Sequence, residues 1–140
     1  MIKRRDRMNY EELIKRANEA KENAYAPYSN FKVGAAVLTG TGKIYTGCNI
    51  ENVSFGATNC AERTAIFKAV SDGEKAIKAV AVMSSSGEFT YPCGICRQVI
   101  AEFSEDAKII LGNSRGDIKV YSLDEILPCG FTKENSKNFE

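Results

Sequence analysis

The reading of the fold turns on Asn59-Cys60-Ala61-Glu62-Arg63-Thr64-Ala65 and on Pro92-Cys93-Gly94-Ile95-Cys96, which 29 residues separate from Glu62. In both stretches a cysteine stands at the start of a helical pattern. After Cys60, Ala61, Ala65 and Ala69 recur on one face, and Asp72-Gly73 ends the run. After Cys93, Val99, Ile100 and Phe103 turn inward, to Phe103. Between the two lies Ile77 to Met83, rich in Val and Ala, which reads as a strand, and a polar loop from Ser84 to Pro92. A helix, a strand and a helix in alternation are the building unit of an α/β domain.

The flanks extend the same alternation. Asn9 opens a helical pattern, with Glu12 as a capping partner and Leu13, Ala17, Ala20 and Ala24 on one face; Pro27 closes it. Val33 to Leu38, the turn Thr39-Gly40-Thr41-Gly42 and Lys43 to Cys48 form a hairpin, followed by an irregular stretch to Asn59. Lys108 to Leu111 and Ile118 to Tyr121 are short strands, and Ser122 with Glu125 makes a capping box for a last helix ending at Pro128. The order α-β-β-α-β-α-β-β-α predicts a three-layer α/β/α domain on one mixed, five-stranded sheet. With 140 residues and no linker, residues 1–140 read as a single domain, with 1–8 and 133–140 expected to be mobile tails.

Composition narrows the function classes. A net charge of +1 gives no electrostatic case for nucleic acid or a membrane surface as partner. No apolar run approaches the roughly 18 residues of a membrane span, and the basic Met1–Arg7 stretch leads into Asn9-Tyr10-Glu11-Glu12, not an apolar segment. A cytoplasmic protein is therefore expected, with Met8 as an alternative start. Five cysteines, an odd number, suit reduced thiols or metal ligands better than a disulfide framework. The chain has no histidine, so Ser-His-Asp and Cys-His catalysis are both excluded.

Taken singly, the pieces say little. A C-x-x-C is a redox pair, half a zinc site or two buried thiols; Cys60 is a small buried residue and Glu62 a solvated helix charge. Together they say more. Two helix N-termini present free N–H groups and a positive dipole end, which favour thiolate over thiol, and thiolate is what zinc binds. Cys60, Cys93 and Cys96 give three protein ligands to Zn2+ and leave a fourth position open, the catalytic arrangement. Glu62, two residues past Cys60, can face the cavity without ligating. Three thiolates on Zn2+ leave the site near −1, and Arg63 is placed to offset part of that charge.

These motifs resemble those of the small cytidine deaminases of the homotetrameric type, in which three cysteines hold the zinc. The resemblance runs through Ala26-Pro27-Tyr28-Ser29-Asn30-Phe31-Lys32-Val33-Gly34-Ala35-Ala36, Gly47-Cys48-Asn49-Ile50-Glu51-Asn52, both cysteine segments with Arg97-Gln98, and Leu127-Pro128 with Phe131. It implies one zinc per chain on Cys60, Cys93 and Cys96, with Glu62 as proton shuttle. The backbone N–H of Ala61 would bind the pyrimidine carbonyl, Phe31 would pack on the ring, and Asn49 and Glu51 would hold a ribose hydroxyl. Phe131 would reach in from a neighbouring subunit, and Phe55 stands near a subunit boundary where many relatives carry Tyr. The implied reaction is hydrolytic deamination of cytidine and 2′-deoxycytidine in pyrimidine salvage, by a homotetramer. The rivals are a deaminase of another small molecule such as blasticidin S, a polynucleotide-editing deaminase, and a non-catalytic zinc or dithiol module. The ribose signature counts against the first and the neutral charge against the second. Cys48 and Cys129 receive no chemistry.

Overall fold

A computed structural model describes residues 4–136. Its elements are α1 (Arg4–Lys21), β1 (Val33–Thr39), β2 (Ile44–Cys48), a 3-10 turn (Phe55–Ala57), α2 (Ala61–Ser71), β3 (Ile77–Ser84), α3 (Gly94–Phe103), β4 (Ser104–Gly112), β5 (Ile118–Ser122), α4 (Leu123–Ile126) and α5 (Lys133–Ser136). The five strands form one sheet in the order β2-β1-β3-β4-β5; β3 and β4 are parallel and the other neighbours antiparallel.

Alternation along the strands builds two unequal layers. Ala35 and Val37 of β1, Val80 and Val82 of β3, and Ile109 and Leu111 of β4 face one core, shared with Ala61, Ala65, Ile66 and Ala69 of α2 and Ile100 of α3. The residues between them, Ala36, Ala79, Ala81, Met83 and Ile110, face the opposite side and meet Leu13 and Ala17 of α1. The sheet face beneath α1 is paved with alanines, so that helix lies close. A Cβ on Gly34 would fall 1.9 Å from the Ala17 carbonyl oxygen.

Strand direction brings the cysteines together. β2 and β3 are each antiparallel to β1, so they run the same way, and the pairs Gly34↔Cys48 and Val33↔Ser84 place their C-terminal ends at one edge. The chain leaves β2 for α2 and β3 for α3, so both helices start at that edge. Cys60 is the N-cap of α2 and Cys93 the N-cap of α3, and neither cap carries a side-chain hydrogen bond.

Several boundaries depart from expectation. α1 begins at Arg4, not Asn9, so part of the expected leader is helical; it also stops at Lys21, ahead of Pro27. β4 starts at Ser104, four residues early, through an irregular pairing with β3 and a left-handed Asp106 (φ 53°). Of the expected C-terminal tail, Lys133–Ser136 forms a helical turn; residues 1–3 and 137–140 lie outside the described residues. The capping box of Ser122 and Glu125 is present as read.

Gly47 in β2 marks a close approach between the sheet and α2. A Cβ there would lie 2.5 Å from Ala65 N and 2.7 Å from the Ala61 carbonyl oxygen, both helix backbone. Gly47→Ala is expected to force strand and helix apart, costing on the order of 1–3 kcal/mol and several degrees of melting temperature. Gly56→Ala, where nothing lies within 4 Å of the added carbon, is the control. Thermal melts of the two variants check this; equal midpoints would refute the close-packing account.

Candidate active site

The Sγ atoms of Cys60, Cys93 and Cys96 all lie within 4.8 Å of one another, with Cys60 and Cys93 separated by 3.7 Å. A tetrahedral ion with Zn–S bonds of about 2.3 Å requires sulfurs about 3.8 Å apart. The set is all sulfur, which selects zinc over harder cations, and it has three members, which leaves a fourth position open. All five cysteines are free thiols.

Arg63 is placed against this cluster. Its Nη2 donates to Cys60 Sγ at 3.3 Å, and its buried Nε has no hydrogen-bond partner. A guanidinium held over sulfurs, with a donor in hand, is what a thiolate cluster around a dication needs for charge balance. The Cys60 thiol is lowered to about 5, chiefly by its hydrogen bond with Cys96, with further help from Arg63 and Cys93 against the cost of burial. Cys96 is raised by the same bond and by burial, so it keeps the proton of the pair. A bound dication would displace that proton.

Glu62 follows Cys60 by two residues and is buried at 4% exposure. Burial is the main cause that lifts its carboxyl to about 7; its own backbone N–H and Arg63 work against the rise, and the charge of Cys60 adds to it. Ala61, fully buried, is the first helical residue of α2, where the N–H has no intrahelical acceptor.

These residues open on a cavity of about 240 Å3, whose wall includes Phe31, Asn49, Glu51, Ala61, Glu62 and Cys93. Asn49 is 9% exposed and its amide is doubly committed: Oδ1 accepts from Val33 N at 2.9 Å and Nδ2 donates to the Phe31 carbonyl at 2.8 Å. Glu51 Oε1 accepts from Tyr28 N at 2.9 Å and Ser29 N at 3.2 Å, and Oε2 accepts from Ser29 Oγ. The Ser29 hydroxyl above all, with the two backbone N–H groups, holds the Glu51 carboxyl below the usual range.

The remaining expected residues stand apart from this wall. Phe55 is 75% exposed and edges onto Tyr28 at a ring separation of 5.9 Å, in a neighbouring hollow that shares Ser29, Glu51 and Thr58 with the cavity. Phe131 is exposed, and Gln98 Nε2 donates to its carbonyl at 2.6 Å. Sequence reasoning gave no role to Ser29, Thr58, Asn59, Thr90 or Tyr91, which also line the cavity. Thr90 and Tyr91 precede Pro92-Cys93 directly, and that adjacency was the available signal. Arg97 braces this corner: Nε donates to the Pro92 carbonyl and Nη1 to the Ile126 carbonyl, each at 2.7 Å. Cys48 is half-buried, with its thiol raised by burial, and Cys129 is exposed in a left-handed turn.

An α/β/α sandwich with three sulfurs and a buried carboxylate at two helix starts defines a zinc-dependent deaminase site. Residues 7–113 match the cytidine and deoxycytidylate deaminase zinc-binding region. The chain is 50% identical over 129 residues to the cytidine deaminase of Halalkalibacterium halodurans, covering 91% of this chain and 98% of the relative. It is 51% identical over 129 residues to that of Sporosarcina psychrophila, covering 91% and 95%. The crystal structure of cytidine deaminase from Burkholderia pseudomallei superposes with a TM-score of 0.82 at 47% identity, covering 86% of this chain and 98% of that one. The chain belongs to the cytidine and deoxycytidylate deaminase family, a zinc-binding family, and its three clustered cysteines are positioned to hold the ion.

Metal content tests the cluster directly. The purified protein is expected to carry about one zinc per chain. Cys93→Ser should lose it together with thermal stability, because ion binding is coupled to folding. Arg63→Gln should keep the ion, since the ligands are intact. Atomic absorption on the three proteins reads both outcomes, and full zinc occupancy in Cys93→Ser would remove Cys93 from the ligand set.

Proposed function

We propose that this chain is a cytidine deaminase that converts cytidine and 2′-deoxycytidine, with water, to uridine or 2′-deoxyuridine and ammonia. The observation that carries the reading is the buried Glu62 carboxylate beside the three sulfurs, in a cavity closed on its other side by Phe31, Asn49 and Glu51. Cys60, Cys93 and Cys96 would hold zinc, which when bound would supply a water nucleophilic near neutral pH.

The chain's own groups do the rest. Glu62 takes a proton from the attacking water and delivers it to N3 of the pyrimidine. The water oxygen bonds to C4. Glu62 then moves the second proton to the 4-amino group, which leaves as ammonia, and the oxygen remains as the C4 carbonyl. Proton transfer of this kind contributes about 10²–10⁴-fold. The N–H of Ala61 holds the pyrimidine carbonyl, Phe31 packs on the ring, and Asn49 and Glu51 select the sugar hydroxyl. Arg63 balances the charge of the thiolates.

Glu62→Gln keeps the size of the side chain and removes the base. It is expected to retain zinc and bind cytidine while losing several orders of magnitude in rate, up to the about 10⁴-fold of general acid–base catalysis. Loss of cytidine absorbance and release of ammonia measure the rate, and zinc content checks the site. A variant that loses zinc with the carboxylate would make Glu62 a ligand and overturn the mechanism.

The same reading makes the enzyme a homotetramer of single-domain chains, working in the cytoplasm, where free thiols persist. Its support is a set of exposed apolar side chains. Ile50, Val53, Phe55, Phe67 and Phe131 are 45–77% exposed, and Ile50 and Phe67 line an open hollow of about 690 Å3 with Tyr45 and Lys68. Patches of this kind mark interfaces. Among the described residues no helix is long and apolar enough to cross a membrane. Sedimentation is expected to show a species larger than a dimer, with Phe131 of one chain completing the cavity of another. A fully active monomer would rule the assembly out.

A further inference from the structure

Phe31 stands outside both buried cores, in the cavity wall. The residue is 37% exposed. It also follows Asn30, which turns the chain at a left-handed φ of 57°, a conformation asparagine accepts more readily than other non-glycine residues. With no core packing around it, the ring takes its position in large part from what holds its backbone. Two groups do so, one on each side. Asn49 Nδ2 donates to the Phe31 carbonyl at 2.8 Å, and Phe31 N donates to Ser29 Oγ at 3.0 Å.

The Ser29 hydroxyl faces the other way as well. A carboxylate only accepts, so the Ser29 proton is directed at Glu51 Oε2 and its lone pair is left for Phe31 N–H. The result is a polarised chain, Phe31 N–H to Ser29 Oγ–H to Glu51, in which each bond strengthens the next. Tyr28 N and Ser29 N fix the other carboxylate oxygen. A carboxylate has about four acceptor positions. Three are taken by this turn, which leaves one for a ligand hydroxyl.

We propose that Ser29 is a positioning residue that couples recognition of the sugar to placement of the base: its hydroxyl joins the Glu51 carboxylate to the backbone of Phe31. The inference rests on the reading above, in which Glu51 meets the sugar hydroxyl and Phe31 packs on the pyrimidine. Ser29 itself need not touch the substrate. Its effect falls on binding, because the hydrogen-bonded chain is present before and during the reaction alike.

The test is a double-mutant cycle on the zinc-loaded enzyme with cytidine, using Ser29→Ala, Ser29→Thr, Glu51→Gln and the Ser29→Ala/Glu51→Gln pair. Zinc content and melting temperature confirm that each variant is folded. Ser29→Ala should raise KM about tenfold and leave kcat within about threefold, the loss expected for a hydrogen bond to a charged group. Ser29→Thr keeps the hydroxyl and should return KM to within about threefold of the parent. On the Glu51→Gln background, Ser29→Ala should add less than about threefold, because the two act through one chain. A purely structural role predicts additive losses and no rescue, and either result would overturn the proposal. A large Glu51→Gln effect beside an unchanged Ser29→Ala enzyme overturns it while leaving the sugar reading intact. An unchanged KM in Glu51→Gln overturns the sugar reading with it.

Discussion

Three cysteine sulfurs within 4.8 Å of one another repel as thiolates, and the architecture around them supplies the opposing charge. Cys60 and Cys93 each stand at a helix N-terminus, where unpaired N–H groups and the macrodipole add partial positive charge. Arg63 adds a full charge at 3.3 Å from Cys60 Sγ. Neither source works unless both helices start at the same place. That follows from β2 and β3 running in one direction on either side of β1. Sheet topology is therefore an electrostatic device here, since reversing one strand would carry one cysteine to the far edge.

The precision of the site comes from how little room the supporting layers leave. Gly34 lets α1 sit on β1, and Gly47 lets α2 sit on β2, each at a distance where a methyl group would strike backbone. Interiors packed this closely transmit displacement instead of absorbing it. Arg97 braces the second cysteine segment by tying Pro92 to the end of α4. The opposite wall of the cavity is built differently. Ser29 and Phe31 belong to a turn outside both buried cores, and hydrogen bonds to Asn49 and Glu51, which follow β2, hold it. One wall thus carries the sulfurs and Glu62 at helix starts, and the other is a polar clamp, to which the proposed function assigns the substrate contacts.

What could be read from the sequence follows the range of the interaction involved. Strands and helices were legible because their apolar periods are local, and the two cysteine segments were legible because a cap position and a C-x-x-C lie within a few residues. The capping box at Ser122 and Glu125 is local in the same sense. The early starts of α1 and β4 were not legible: Arg4 to Met8 lacks an apolar stripe, and the segment from Ser104 to Ala107 enters the sheet through an irregular pairing. Asn49 and Glu51 were singled out for one role and proved to have further partners. Those partners, Val33, Phe31, Tyr28 and Ser29, lie 16 to 23 residues away, and nothing in a spacing announces them. Ser29 was quoted within a motif and given no function for the same reason, since its meaning lies in a contact 22 residues distant.

The charge around the cavity also bears on what size and kind of pyrimidine it accepts. Glu51 is held below the usual carboxylate range, so it is ionised at neutral pH. Arg63, the cation beside the sulfurs, is committed to Cys60. The ion pairs seen among the described residues, such as Lys78 with Glu105 and Arg115 with Asp117, join residues outside the cavity wall. On the proposed reading a sugar hydroxyl would find an acceptor at Glu51, whereas a phosphate on the same sugar would meet a carboxylate in a wall that, among the described residues, holds no cation. Burying that charge uncompensated is far costlier than leaving it in water. The family takes its name from enzymes of the nucleoside and of the nucleotide, and the electrostatics of this wall favour the nucleoside. The same argument counts against a polynucleotide, whose phosphates would need a basic surface that a chain of net charge +1 does not offer.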